Sequence, residues 1–468
     1  MIELTGSLTG FIHALETRQV SARELLDAHL ARIELLDVDV HAVVTIDPGP
    51  ATARAVAIDE ARMSGRDLGL LAGVPVTVKD AIATAGMRST GGAIELRDFV
   101  PDTDATVVTR IRDAGAVVFG KTNVPRWSGD YQSYNEMFGT TSNPWDLTRT
   151  PGGSSGGPAA AVAMGFTAFE IGTDIGGSIR VPSSFCGVYG HKPTFGTIPT
   201  FGYLDNPVSH RNVADVNVFG PIARSVDDLE LLLGLLAGPD PDDAVAWRLE
   251  FPRPRAIELG DFRVVAWLDD DFCPVDPAVQ AVLIAAVDEL ERAGAHIDRD
   301  RRPAIDPRTA ATNGLRLISS ATSISDTDEE AASVGAPLTH RTWDVMHRHR
   351  GEVRQRWAEF FADVDVLLCP TISVPPFAHI HSTEGENWMH ATLAEYGDIH
   401  YSELIGWSGL IGSAYLPVTA APVGRTPNGL PIGVQIVAPY LHDRTALAFA
   451  RCMAEVLGGY EPPPLALT

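Results

Sequence analysis

Lysine is used sparingly in this chain: Lys79, Lys121 and Lys192 are its three lysines, and every other basic residue apart from histidine is arginine. Each lysine stands at the polar end of an apolar segment, in VPVTVK, AVVFGK and VYGHK. Arginine does not give up its proton in a protein. A lysine that is desolvated, or set beside another cation, can do so and act as a base. A base needs a nucleophile to activate. Two glycine-bounded serine clusters offer one: TPGGSSGG at 150–157 and EIGTDIGGSIRVP at 170–182. Glycines allow tight turns that leave backbone N–H groups open, and such groups can face an oxygen that becomes negative during acyl transfer. The chemistry within reach is therefore acyl transfer through a serine with a lysine base. On these residues alone, a structural ion pair for a lysine and a plain turn at 176–178 stay open.

Two rival chemistries have weaker support. A phosphate cradle needs GxxxxGK[ST], and TPGGSSGG lacks the lysine. A Ser–His–Asp site needs a histidine in a recognisable constellation. His191 in YGHKPTFG comes nearest of the 14 histidines, and a histidine before Lys-Pro at a turn reads as structural. The spelling GGS is also not the GxSxG elbow.

The elements that must position these residues follow from periodicity. Residues 8–36 read as helical, with Ser21 and Glu24 as a capping box, followed by a strand at 42–47 and a helix at 51–65. VPVTVK is a strand ending in Lys79, 103–114 a helix, and AVVFGKTN a strand with a polar tip. AAAVAMGF reads as a short buried helix between the two glycine clusters, which rules against a flexible linker there. Further helices are expected at 225–238, 277–293 and 442–458, and strands at 264–269, 363–371 and 430–439. The alternation of helix, apolar strand and polar loop predicts an α/β fold: a large mixed, mostly parallel twisted sheet covered by helices on both faces. Residues 321–340 read as a loop or mobile helical cover, and 378–400 as a peripheral flap. No linker divides the chain, so one domain over 1–468 is expected.

Composition narrows the function. The 468 residues are 45% apolar and 21% charged, an ordinary globular balance. With 36 basic and 60 acidic side chains the net charge is −24, which repels phosphate backbones and argues against nucleic-acid binding. The scattered Cys186, Cys273, Cys369 and Cys452 offer neither a disulfide framework nor a zinc knuckle. The first residues carry no secretory pattern, and no run of eighteen apolar residues exists. A cytoplasmic protein without membrane attachment is expected.

Six segments in order, GVPVTVKD, GKTNVP, NPWD, TPGGSSGG, GTDIGGSIRVP and YGHKPTFG, make the chain resemble the amidase signature family of serine hydrolases. The resemblance is strongest over 65–200, the signature core, and continues more weakly through GPIARSVDDLELLL and LPIGVQIV. It implies Lys79 as catalytic base, Ser154 as a bridging serine in a cis peptide, and Ser178 as nucleophile. It further implies an oxyanion hole of backbone N–H groups from Ile175, Gly176, Gly177 and Ser178. Ser155, Asp174 and Arg180 match supporting positions. Two residues depart from the family pattern: Pro158, early in the helix after GGSSGG where proline is tolerated, and His191, where an apolar or small residue is usual.

The resemblance implies hydrolysis of a carbon–nitrogen bond other than a peptide bond, with no metal or organic cofactor. The region before the serine motifs can supply the acyl pocket in this family. Trp127, Tyr131, Tyr134, Asn135 and Met137 are the candidates here, and they favour flat or apolar groups. The expected substrate is a small aryl or alkyl amide, with carbamates and esters open to the same attack. Segments 310–345 and 378–400 are candidates to cover the pocket. A glutamine-hydrolysing subunit of a transfer-RNA-dependent amidotransferase is one alternative. The stretch TIPTFGYLDNPVSHRNVADVNVFGPIARS argues against it, because that subunit more typically has an arginine-containing turn and a serine-rich stretch ending in DQIGP. A non-enzymatic binding protein on the same fold is the other. The expected assembly is a monomer or homodimer.

Overall fold

Ser21 opens the helix Ala22–Val40 with a complete capping box: its hydroxyl accepts from Glu24 N–H, and the Glu24 carboxylate accepts from Ser21 N–H at 2.9 Å. A cap of this kind stabilises a helix by about 1 kcal/mol. Arg18 sits at φ +60° just before it, so the helical stretch expected over 8–36 is two helices, Leu8–Glu16 and Ala22–Val40. The structure, a computed structural model, describes residues 3–204, 214–322, 339–381, 392–397 and 399–468.

A three-stranded sheet joins β1 (Val43–Ile46), β2 (Pro75–Lys79) and β3 (Val117–Thr122) in the order β1-β3-β2. A hairpin of β4 (Tyr134–Asn135) and β5 (Gly139–Thr140) follows. The eight-stranded sheet begins with β6 (Glu170–Asp174), β7 (Tyr189–Lys192), β8 (Val218–Ala223), β9 (Arg263–Ala266), β10 (His296–Asp298) and β11 (Val366–Pro370). After the short pair β12 (Thr392–Leu393) and β13 (Ile399–His400), it is completed by β14 (Val418–Arg425) and β15 (Pro431–Val437). Its order is β10-β9-β11-β15-β14-β7-β8-β6.

The sheet is mixed, but the expected parallel majority is not found. Only β10–β9 and β9–β11 are parallel; the five ladders from β11–β15 to β8–β6 are antiparallel. Continuous apolar strands are the usual mark of a parallel sheet buried on both faces. Here helices bury both faces of antiparallel strands, and the tight turn between Arg425 and Pro431 can only join antiparallel neighbours.

The two faces can be read from adjacent residues on β7. A side chain at Gly190 would collide with Ser183 in the helix Arg180–Cys186, whereas His191 bonds Asp443 at the start of the helix Asp443–Leu457. Successive strand residues point to opposite faces, so these helices lie on opposite sides. The small sheet adjoins the large one at β6: Ala168 N–H donates to Pro75 O at 3.4 Å, and Thr77 Oγ1 donates to the Glu170 carboxylate at 2.6 Å. Glu170 also accepts from Thr122 Oγ1 at 2.9 Å. Burial pushes its carboxyl up to about 7.

All nine residues of the helix Gly156–Met164 are buried. Pro158 is its third residue, where an unpaired N–H would otherwise point out of the first turn. All three lysines are buried: Lys79 and Lys121 are fully covered and Lys192 is 2% exposed.

Candidate active site

β2 delivers Lys79 to the edge of β6, where its ammonium position meets three hydroxyls. Nζ lies 2.8 Å from Ser154 Oγ, 3.0 Å from Ser155 Oγ and 2.7 Å from Thr173 Oγ1. Burial pushes the lysine pKa well below its usual value; the charges of Asp174 and Glu170 restore it only in part. The two serines come from the tight loop before the helix Gly156–Met164, with the Gly153–Ser154 peptide cis. Ser133 braces this loop, accepting from Gly156 N–H at 3.0 Å and donating to Gly152 O at 3.2 Å. Gly153 has to be glycine, because a Cβ there would lie 2.5 Å from Asp130 O.

Ser178 lies on the turn between β6 and the helix Arg180–Cys186. Its carbonyl accepts from Ser155 N–H at 3.1 Å, which joins the two serine loops through backbone. Ser178 is 7% exposed, against 1% for Ser154 and none for Lys79. Among the three, Ser178 is thus the least covered.

Asp174 shapes this turn. Its carboxylate accepts from the N–H groups of Gly177 and Ile179 at 2.9 and 3.1 Å, and from Arg180 Nε and Nη2 at 2.9 and 2.8 Å. Burial alone would raise the Asp174 carboxyl, but Arg180 outweighs it and holds the pKa at about 2. Arg180 continues to Ser408 O and Gln435 Oε1 at 2.9 and 2.6 Å. Gly177 has φ +124° and stands against Ser408, a backbone state that L side chains rarely adopt. Its N–H is bonded to Asp174, so it does not face the expected oxyanion position. The N–H groups of Ile175, Gly176 and Ser178 have no partner among the described residues.

Asp174→Asn leaves the Arg180 guanidinium buried without its counter-ion and is expected to destabilise the fold by about 3–5 kcal/mol. Urea unfolding measures this, and an unchanged midpoint would refute the structural weight placed on the pair.

Of the five residues expected to line the acyl pocket, Tyr131 touches the turn that carries Ser178: its hydroxyl donates to Gly176 O at 2.6 Å. Trp127 packs with Ala83, Leu96 and Leu204. Asn135 clamps its own hairpin, accepting from Met137 and Phe138 N–H and donating to Asn123 Oδ1 and Val124 O. Met137 lies in that turn, and the Tyr134 ring meets His381 at 4.6 Å.

Sequence reading missed the wall beside the turn. Val216, Ile318 and Tyr415 form a buried cluster against which Ile175, Phe195 and Ile405 pack. Tyr415 stacks on Phe195 at 4.4 Å. Ile318 belongs to the helix Pro307–Thr322, so the described part of the expected cover 310–345 does reach this wall. Residues 323–338 lie outside the described residues. In the other expected cover, Ile380 pairs with Gln132 through two hydrogen bonds, and 382–391 and 398 are outside the described residues. His191 is buried, 3.0 Å from Thr419 Oγ1 and 3.3 Å from Asp443 Oδ1, and makes no bond to a serine.

The Amidase family model matches residues 24–334 and 326–447. The chain belongs to the amidase family. As an amidase it is an enzyme acting on the carbon–nitrogen bonds of amides. It is 35% identical to a glutamyl-tRNA(Gln) amidotransferase subunit of Synechococcus sp. strain CC9311 over 93% of this chain and 94% of that one. Its fold matches a bacterial aryl acylamidase of the amidase signature family with TM-score 0.81 and 26% identity, covering 96% of both chains. It also matches, with TM-score 0.83 and 26% identity over 98% of this chain and 100% of the other, a structure described as a vestigial complex revealing the origins of an s-triazine catabolic enzyme. Among the described residues of this amidase no helix is long and apolar enough to cross a membrane, and no His, Cys, Asp and Glu group is arranged to hold a metal.

Proposed function

We propose that Ser178 attacks an amide carbonyl, with Ser154 passing its proton to Lys79. The observation that carries this is the coordination of Lys79 Nζ by three hydroxyls in a buried site. A neutral amine has two hydrogens and one lone pair. Ser155 directs its own hydrogen to Thr173 O at 3.3 Å, so it accepts from Lys79. With Thr173 Oγ1 taking the second N–H, the lone pair is left for the Ser154 hydrogen. Ser154 then accepts the proton of Ser178 as the bond to carbon forms. The N–H groups of Ile175, Gly176 and Ser178 stabilise the tetrahedral oxyanion. The proton returns through Ser154 to the departing nitrogen, and water releases the acyl group by the reverse route.

For the substrate, glutamine has the stronger support. Curated relatives named as glutamyl-tRNA(Gln) amidotransferase subunits share 30–35% identity over 92–96% of this chain. That weighs more than the departures within 197–225. In this reading the chain works with partner subunits that use the released ammonia. A specific observation favours a second reading, hydrolysis of small aryl or alkyl amides, and with them carbamates: the wall beside the turn is aromatic and aliphatic, built from Phe195, Tyr415, Ile175 and Ile405. The likeness to an aryl acylamidase points the same way.

One assay separates them. Ammonia release from glutamine is measured beside aniline release from short acyl anilides and phenol release from aryl carbamates. Glutaminase activity that rises with copurified partners selects the first reading. Anilide turnover by the chain alone selects the second. Release of neither nitrogen product by folded protein, with or without partners, would refute amide hydrolysis by this site.

A further inference from the structure

A cleft of about 520 Å³ lies between the helix His340–Phe360 and the start of the helix Asp443–Leu457. That volume suits a small ligand. Its lining includes Arg255, Arg354, Gln355, Tyr440 and His442, and no carboxylate is among the lining residues. This is unusual in a protein of net charge −24.

Arg354 forms no ion pair or hydrogen bond among the described residues. It is instead held by two rings: its guanidinium lies 4.8 Å from the Tyr415 centroid and 4.7 Å from that of Tyr440. Such stacking occupies the flat faces of the group and leaves its N–H edge free. Arg255, also on the lining, is fixed by the carbonyls of Phe361 and Val364, at 2.7 and 3.1 Å. Asp365 lies 3.5 Å from Arg255 but makes its close pair with Arg263, so it offsets the cleft's charge only partly. His442 contributes a buried Nδ1 with no partner. Burial, and then the charge of Arg255, lower the pKa of that imidazole.

From the unpaired Arg354 edge, the fixed Arg255 and the orphaned His442 nitrogen, we infer that this cleft binds a small oxyanion, a carboxylate or a phosphate. The anion bonds the Arg354 edge, and its rim meets His442. Tyr415 links the cleft to the wall beside the oxyanion turn, since the same ring contacts both Arg354 and Phe195.

Calorimetric titration tests this at low ionic strength with three probes: inorganic phosphate, succinate and the neutral succinamide. Saturable binding is expected for phosphate or succinate and not for succinamide, and the better anion identifies the tetrahedral or planar source. Arg354→Met keeps the stem between the rings and is expected to weaken binding by about tenfold or more, the worth of a charge-assisted hydrogen bond. Ala358→Glu, which places a carboxylate in the cleft one helical turn from Arg354, where it competes with the anion for the free guanidinium edge, is expected to give the same loss. Binding that persists in both variants belongs to another site, and failure of both anions to saturate below about 10 mM means no built site exists. Either result overturns the inference. The titration is independent of which amide the enzyme hydrolyses.

Discussion

Ser178→Ala is expected to lower kcat by about 10⁴-fold or more on whichever amide proves to be the substrate, since removing a nucleophile takes away the covalent route and not merely an aid to it. The hydroxyl stands on a turn fixed by Asp174, Arg180 and the Ser155–Ser178 backbone bond. None of these needs the Ser178 hydroxyl, so the variant keeps its fold. Two measurements check it. Intact-mass spectrometry of wild type quenched during turnover shows the added acyl mass, and the variant shows none. Unfolding midpoints of the two proteins agree. An acyl adduct on the variant would move the nucleophile elsewhere.

Lys79→Met is the second large effect. It keeps most of the buried stem and deletes the nitrogen that three hydroxyls share. Loss of a positioned base lowers kcat by about 10²–10⁴-fold. The pH dependence gives a sharper signature. Burial sets the folded pKa of Lys79 well below its usual 10.5, so the amine is neutral over a range where a free lysine is charged. Wild-type kcat/KM falls as pH drops through that folded pKa, because the protonated amine has no lone pair left. The methionine variant lacks this acid limb. Stability follows the same group. Between its folded pKa and 10.5 the unfolded chain binds the extra proton, so wild-type stability rises with pH in that window, and the variant rises less. Lys121, held at about 8, and Lys192, at about 7, add slopes of the same sign and remain in the variant. An identical acid limb in both proteins would end the case for Lys79 as the base.

The sequence made the centre of this site legible for a physical reason. Lys79 ends a buried strand, and Ser154 and Ser178 sit where glycines permit close backbone approach. Those constraints are local, so they show as local patterns. Thr173 was missed although it bonds Lys79, because a threonine on a β-strand needs no explanation until the neighbouring strand is known. The hydrophobic cluster beside the Ser178 turn was less legible still. Ile175, Phe195, Val216, Ile318, Ile405 and Tyr415 are far apart in the chain, and their meeting depends on the whole fold. Trp127 packs with Ala83, Leu96 and Leu204, and Asn135 clamps its own hairpin, contacts that nearness in sequence does not reveal.

The strands show the same limit. β2, β3, β9 and β11 were readable as apolar runs. β14 was not, since YLPVTAAPVGR carries Pro417 and Pro422, and proline normally argues against an interior strand. The register shift between Pro422 and Gly424 accommodates the second of them. Strand direction was out of reach of periodicity, which is why the parallel majority expected from burial gave way to antiparallel ladders.

The burial of every lysine has a practical side. A reactive ester or carbamate offered to the folded enzyme meets no ε-amine on its surface. Such compounds therefore cannot scatter acyl groups over its lysines while the fold stays closed. Amine-directed labels and cross-linkers stay equally blind to these side chains until the fold opens. Lysine modification thus becomes a reporter of unfolding, and Lys79, Lys121 and Lys192 supply three separate positions at which to follow it.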